Sequence, residues 1–169
     1  MRFYLASRYS RRLELCGYRD QLQSAGHVVT SRWLHGSHQI TDAGMPIGPS
    51  GESLVEGDSG CDSPEAARLR TSFAVEDMVD VFQAGVLIAF TEPPRSGPTR
   101  GGRHVELGMA LASFKRVIVV GHRENIFCWL PGVEYFPTWE QCCAALGIDE
   151  IPAIEAAAYS DRPLLGAAP

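Results

Sequence analysis

Three short apolar runs, separated by segments with helical spacing, constrain this fold more than any other feature of the sequence. The runs cover residues 3–6, 86–90 and 117–120, and each is too short for a helix. The latter two are rich in β-branched residues, as buried parallel strands are. Spacing and turn residues predict helices at 11–25, 63–83, 103–114 and 137–146, and a further strand at 27–33. The alternation predicts an α/β fold: a doubly wound, Rossmann-like or flavodoxin-like parallel sheet of about five strands, flanked by helices.

The length of the chain limits its domain organisation. With 169 residues and 45% apolar content, it can bury one substantial core. We therefore expect a single domain over residues 1–150, with a long loop insert at about 34–62 that is rich in Gly, Ser and Pro. Residues 151–169 are rich in Ala and Pro and are expected to form a C-terminal tail.

Charge and cysteine content limit the classes of partner. The net charge of -5 provides no broad cationic surface, which disfavours a DNA or RNA polymer but not a single nucleotide. Five cysteines without paired CxxC spacing indicate reduced thiols, and no spacing of His, Asp or Glu indicates a metal site. There is no signal-peptide pattern, and no apolar run approaches the roughly 20 residues that span a bilayer. We expect a soluble cytoplasmic protein that does not bind membranes.

Polar residues follow the predicted strands, and ligands of open parallel sheets bind beyond the carboxyl ends of the strands. A glycine-rich stretch leads from the strand at 86–90 into the helix at 103–114. Such a turn exposes backbone N–H groups at the positive end of the helix, which suits a phosphate, and arginines would add charge-assisted hydrogen bonds. The candidate substrate-binding residues are Ser7, Arg8, Thr99, Arg100, Gly102 and Arg103.

Two carboxylates are candidates for catalysis. Glu106 falls in the first turn or so of its predicted helix, where the helix dipole would keep it ionised and able to attack a sugar. From the residues alone, an ordinary first-turn acid after a glycine turn is the commoner explanation, because such pairs occur in many proteins. Asp77, in the helix at 63–83, would handle a leaving base if it points toward the strand ends. Alternatively, it belongs to an acidic solvent face with Glu76 and Asp80.

Three segments, YLAS at 4–7, ED at 76–77 and GGRHVELG at 101–108, together resemble the nucleoside 2-deoxyribosyltransferase family. That family includes the 2′-deoxynucleoside 5′-phosphate N-hydrolases and the cytidylate N-glycosidases. The resemblance implies that Glu106 is the nucleophile of a retaining reaction without a cofactor and forms a covalent glycosyl-enzyme. It also implies that Asp77 engages the departing base and that Tyr4 orients the nucleophile. The alternative for Tyr4 is a buried strand aromatic.

The resemblance extends to residues outside these segments. Asn125 matches the position where transferases of the family lend an asparagine to the neighbouring subunit, which implies a homodimer or higher oligomer with shared sites. Otherwise Asn125 is an ordinary turn residue. Trp33, with His35 and His38, is a candidate wall around the base, although a half-buried strand tryptophan and exposed histidines explain these residues individually. Glu92 is either a further acid of the site or solvated.

The function predicted from these residues is cleavage of the N-glycosidic bond of a (deoxy)nucleoside 5′-monophosphate, which releases free base and sugar phosphate. Base exchange by a nucleoside 2-deoxyribosyltransferase is the first alternative, because the sequence around Glu106 does not distinguish water from a second base as the acceptor. A non-catalytic nucleotide-sensing module is the second. A glycosidase of a nicotinamide dinucleotide is disfavoured, because no GxGxxG follows the first strand.

Overall fold

The apolar runs form the centre of a five-stranded sheet in which every pair of neighbouring strands is parallel. The computed structural model describes residues 1–36, 64–93 and 101–148. The strand order is β2-β1-β3-β4-β5, the flavodoxin-like order, and this confirms the predicted fold class. The strands are β1 (Arg2–Ala6), β2 (Val28–Val29), β3 (Val86–Phe90), β4 (Arg116–Val120) and β5 (Val133–Phe136).

In the described part of the chain, three α-helices connect strands and a fourth follows β5, all at the places where helical spacing predicts them. Pro64, the first residue of α2, suits a position whose N–H has no partner within the helix. The last helix, α4, begins after Thr138, whose hydroxyl caps it, and ends at Gly147 in a left-handed conformation with φ +69°. The helices are α1 (Arg12–Ser24), α2 (Pro64–Gln83), α3 (Gly102–Ala112) and α4 (Trp139–Leu146).

The helices cover both faces of the sheet. On one face, Tyr18 of α1 stacks on Phe90 of β3 with ring centroids 5.1 Å apart, and Trp139 of α4 lies 4.8 Å from Tyr18. Side chains alternate along a strand, so Tyr4 points from β1 to the opposite face, where α2 and α3 pack against each other. This second face carries the carboxylates singled out in the sequence.

Two strands differ from the prediction. The strand expected at 27–33 is wrong beyond Val29, because Thr30 donates its hydroxyl to the carbonyls of Phe3 and Asp80 and the chain then forms a 3-10 helix, Arg32–His35. The edge strand β5 has no predicted counterpart. It has four half-buried residues after a Pro-Gly turn, too short to give a clear alternating pattern.

Several expectations concern residues that lie largely outside the described ranges. The predicted insert at 34–62 overlaps them only at residues 34–36, and the predicted tail at 151–169 lies beyond them entirely. Within the described ranges, no helix combines the length and apolar character needed to cross a membrane. The cysteines described there are free and buried, namely Cys16, Cys128, Cys142 and Cys143.

Candidate active site

The strand order places a crevice at the carboxyl ends of β1 and β3, where chain connections leave toward opposite faces of the sheet. Arg8 follows β1 and Glu92 follows β3, and an ion pair of 2.7 Å between Arg8 Nε and Glu92 Oε2 joins the two ends. Glu92 is therefore part of this edge and not a solvated acid. Ser7 is partly buried here, and its Oγ finds no hydrogen-bond partner among the described residues.

Tyr4 and Glu106 meet on the face of the sheet that α2 and α3 cover. Tyr4 is fully buried in β1, and its hydroxyl donates a 2.8 Å hydrogen bond to Oε1 of Glu106 on α3. Oε2 of Glu106 is closed off from solvent and has no hydrogen-bond partner in the described part of the chain. Buried polar atoms are nearly always paired in folded proteins, so an unpaired carboxylate oxygen marks a place where a ligand group can bind.

The protonation of Glu106 differs from the expectation. Because α3 begins at Gly102, Glu106 lies in the second turn, whereas the influence of a helix end falls off within the first. Burial raises the pKa of Glu106 to about 8, and the charge of Asp77 raises it further, against the lowering effects of the Tyr4 hydrogen bond and Arg103. The helix end therefore contributes little to the ionisation of Glu106, and burial opposes it.

Asp77 completes a group of three that we call the Tyr4-Asp77-Glu106 cluster. Burial raises the pKa of Asp77 to about 7, with contributions from Asp80 and Glu76, whereas Arg32 and hydrogen bonding by Tyr4 lower it. Burial raises the pKa of Tyr4 well above its ordinary value, and both acids of the cluster add to that rise. Oδ1 of Asp77 has no partner among the described residues. The structure thus brings the three predicted catalytic residues together.

Asp80, one turn further along α2, has a different environment. Its side chain is 4% exposed, and it accepts hydrogen bonds of 2.8 Å from Arg32 Nε and 2.9 Å from the Arg32 backbone N–H. An acidic solvent face shared by Asp77 and Asp80 is therefore excluded. Asp80 anchors the segment that follows β2 to α2.

Arg103, an expected phosphate ligand, is already paired. Its Nε and Nη2 donate to the two carboxylate oxygens of Glu124, at 3.0 and 2.8 Å, and the two side chains are 4% and 10% exposed.

Asn125 caps the 3-10 helix that follows it by accepting from the Phe127 N–H, and its Nδ2 lies 3.3 Å from His104 Nδ1. Sharing of Asn125 with a second subunit stays a prediction.

The remaining predicted residues have different surroundings. Trp33 is 5% exposed and donates from Nε1 to the Leu5 carbonyl, so it is a core residue and not an open wall for a base. Gly102 opens α3, and a Cβ placed there would meet no atom of the described residues within 4 Å. His35 is exposed. The residues outside the described ranges are His38, Thr99 and Arg100.

Sequence reasoning missed two residues at this edge. Glu124 is recognisable only through its buried partner Arg103, which is 21 residues away in sequence. Tyr9 lies beside Trp33 with ring centroids 6.2 Å apart, and its hydroxyl oxygen is buried with no partner among the described residues. No local pattern singles out either residue, because both acquire their surroundings from distant parts of the chain. Within the described ranges, no three His, Cys, Asp or Glu side chains form a group suited to a metal ion.

No protein-family model matches the sequence, and no curated protein does. Among solved structures, the chain is similar to the 2-deoxyribosyltransferase of Bacillus psychrosaccharolyticus, with a TM-score of 0.56 and 18% identity over 84% of this chain and 90% of that one. The CMP N-glycosidase of Clostridium botulinum gives a TM-score of 0.47 and 18% identity, with 87% and 98% covered. The first likeness confirms the fold that the sequence resemblance implied: this chain has the α/β fold of a 2-deoxyribosyltransferase.

Proposed function

We propose that this protein cleaves the N-glycosidic bond of a (deoxy)nucleoside 5′-monophosphate through a covalent glycosyl-Glu106 intermediate. The observation that carries the proposal is the Tyr4-Asp77-Glu106 cluster, in which both carboxyl groups are withdrawn from water and each has an oxygen without a described partner. An isolated buried acid is costly, and two close together at the binding edge of the sheet are typical of acid-base and nucleophilic chemistry.

The two acids have complementary roles in the proposed first step. The reacting form of the pair holds one proton, on Asp77, and Glu106 is ionised; the higher pKa of Glu106 makes this the less populated of the two arrangements. Oε2 of Glu106 attacks C1′ of the sugar, a bond from Oε2 to C1′ forms, and the bond to the base breaks with its electron pair leaving on the base nitrogen. Asp77, whose pKa of about 7 keeps it partly protonated near neutral pH, supplies the proton that the departing base requires. Tyr4 holds Oε1 of Glu106, which leaves Oε2 as the attacking atom.

Water completes the reaction in the second step. Asp77, now ionised, accepts a proton from a water molecule that attacks C1′ and displaces Glu106. The products are the free base and the sugar phosphate, and both carboxyl groups return to their starting states. The configuration at C1′ is retained, because two displacements occur in succession.

The preference for a 5′-monophosphate is supported by the start of α3. Gly101, at φ +80°, turns the chain into the helix, and the first backbone N–H groups of a helix have no partner within it. A phosphate placed there is stabilised by these donors and by the positive end of the helix. Thr99 and Arg100, which lie outside the described residues, stay predicted phosphate ligands.

The test is to incubate the purified protein with nucleosides and their 5′-monophosphates, with and without a free acceptor base, and to separate the products by liquid chromatography. We expect base release from monophosphates. Glu106→Gln should lower the rate by more than about 1,000-fold, because the amide keeps the hydrogen bond from Tyr4 but is no nucleophile. Glu140→Gln, at an exposed position of α4, is the matched control and should leave the rate unchanged.

Other outcomes of this assay identify the alternatives. Base exchange that requires the acceptor, without release into water, would show a transferase. Binding of nucleotides without turnover in the wild type, and unchanged in Glu106→Gln, would contradict catalysis and show a sensing module. Equal rates on nucleosides and monophosphates would contradict the phosphate preference alone.

A further inference from the structure

A buried ion pair fastens the start of α3 to the loop after β4. Two nitrogens of the Arg103 guanidinium donate to the two oxygens of Glu124, and little of either side chain is exposed. His104 lies at the edge of the pair, with Nδ1 3.7 Å from Glu124 Oε1. A planar bidentate pair of this kind holds the guanidinium in one orientation.

The ion pair with Glu124 changes the kind of ligand group that Arg103 can bind. Its positive charge is balanced by a carboxylate in direct contact, so it adds little net charge for a phosphate. Its third nitrogen, Nη1, is buried and has no hydrogen-bond partner among the described residues. One oriented donor nitrogen beside a neutralised charge suits a neutral acceptor, such as a sugar oxygen, better than a dianion.

Arg103 also lies on the same side of α3 as Glu106, because the two are three residues apart. Three charged or titratable groups act on the Glu106 carboxylate: Tyr4 from β1, Asp77 from α2 and Arg103 from α3 itself. Arg103 is the only cation of the three and favours the ionised form of Glu106. The effect of Arg103 on the pKa of Glu106 depends on how far the negative charge of Glu124 offsets the positive charge of Arg103.

Resting on the proposed function, we infer that Glu124 is a positioning residue of the site, which holds Arg103 beside Glu106 so that Nη1 binds a neutral part of the substrate and not its phosphate. Glu124 acts through Arg103 and touches no reacting atom. The phosphate is left to the backbone N–H groups at the start of α3.

The kinetic test compares Arg103→Gln on a nucleoside and on its 5′-monophosphate. We expect kcat/KM to fall by roughly 10-fold to 100-fold on both substrates, with the two factors agreeing within about twofold, since one hydrogen bond from a charged group is lost. A loss confined to the monophosphate would show a phosphate ligand and overturn the inference. Glu134→Gln is the matched control, because it weakens the exposed bidentate Arg116–Glu134 pair, whose Arg116 lies at the other end of β4.

The second test follows the ionisation of Glu106 directly, by carbon-13 NMR of glutamate-labelled protein, with the signal assigned through Glu106→Gln. In Glu124→Gln the amide oxygen still accepts from Arg103 but no longer offsets its charge, so the Glu106 titration should move down by about one pH unit. In Arg103→Gln the carboxylate of Glu124 remains without its cation, and the titration should move up. Shifts in the same direction, or none, would overturn the inference, because a purely structural ion pair produces no opposed shifts.

This titration does not depend on turnover. If the wild type lacks glycosidase activity but the opposed shifts occur, the proposed function fails and the control of Glu106 by the Arg103–Glu124 pair stands. If the wild type is active and the shifts are absent, the positioning role fails and the proposed function stands. Glu134→Gln should leave the Glu106 titration in place.

Discussion

Asp77 and Asp80 lie one turn apart on α2, and their carboxyl groups have opposite environments. At Asp80 the carboxylate receives hydrogen bonds from the backbone and side chain of Arg32, and its charge is compensated. At Asp77 one carboxylate oxygen has no described partner, and burial together with neighbouring acids raises the pKa. The first arrangement is typical of a structural anchor. The second is destabilising for the ionised protein, which points to a role in binding or chemistry.

The comparison predicts that the two aspartates separate activity from stability. Asp77→Asn should lower kcat by about 100-fold or more, because the amide cannot donate and recover a proton. It should not lower the melting temperature at pH 8, since it removes an uncompensated buried charge. Steady-state kinetics and thermal unfolding of the same preparation measure both effects. A variant that loses stability and activity in parallel would contradict the functional assignment of Asp77.

Asp80→Asn should produce the reverse pattern. We expect the free energy of unfolding to fall by about 2 kcal/mol, at the lower end for a broken buried ion pair because Arg32 is itself 43% exposed. Urea unfolding measures this loss. Among folded molecules, kcat should change less than in Asp77→Asn. An Asp80→Asn protein as stable as the wild type would show that the Arg32 contact is not an anchor.

Tyr4→Phe tests the hydrogen bond between Tyr4 and Glu106. The substitution removes the hydrogen bond to Glu106 Oε1 and with it the lowering of the Glu106 pKa. We expect kcat/KM at pH 7 to fall by about tenfold. The factor that separates the variant from the wild type should shrink at higher pH, because Glu106 then ionises in both proteins. A pH profile parallel to that of the wild type would contradict a role for Tyr4 in setting the ionisation of Glu106.

The smallest effect concerns stability against pH. Asp77 and Glu106 have folded pKa values of about 7 and about 8, above their ordinary values of 3.8 and 4.5. The folded protein therefore holds more protons than the unfolded chain, and stability from these groups is fully present below about pH 4 and declines as the pH rises through 7 and 8. We expect the wild type to lose a few degrees of melting temperature between pH 6 and pH 9.

The double variant Asp77→Asn/Glu106→Gln is the control for this last effect. Its melting temperature should depend less on pH over the same range, because both titrating groups are gone. The carboxylates whose pKa is lowered by an arginine, Glu14 and Glu134, act only at more acidic pH and do not interfere. If the melting temperature of the double variant falls with pH as steeply as that of the wild type, Asp77 and Glu106 are not the source of the pH dependence.

Local patterns in the sequence were sufficient for most of the fold. Short β-branched runs predicted β3 and β4, helical spacing and Gly147 predicted the end of α4, and their alternation predicted the parallel sheet. These signals are local because propensity, capping and periodicity act over a few residues. The edge strands were predicted less well. β2 is cut short by the hydrogen bonds of Thr30 to distant carbonyls, and β5 is too short and too exposed for a period to stand out.

For the candidate site, too, the sequence predicted one part and only the tertiary structure determined the other. The sequence nominated Tyr4, Asp77 and Glu106 through the resemblance of its motifs to a known family, and the residue types alone left the role of each open. It did not determine that Asp80 is paired while Asp77 is not, that Glu124 already holds Arg103, or that Glu106 is withdrawn from water far enough to raise its pKa to about 8. Pairing and desolvation depend on groups brought together from distant positions, so only the tertiary structure decides which carboxylate is an anchor and which is left free to react.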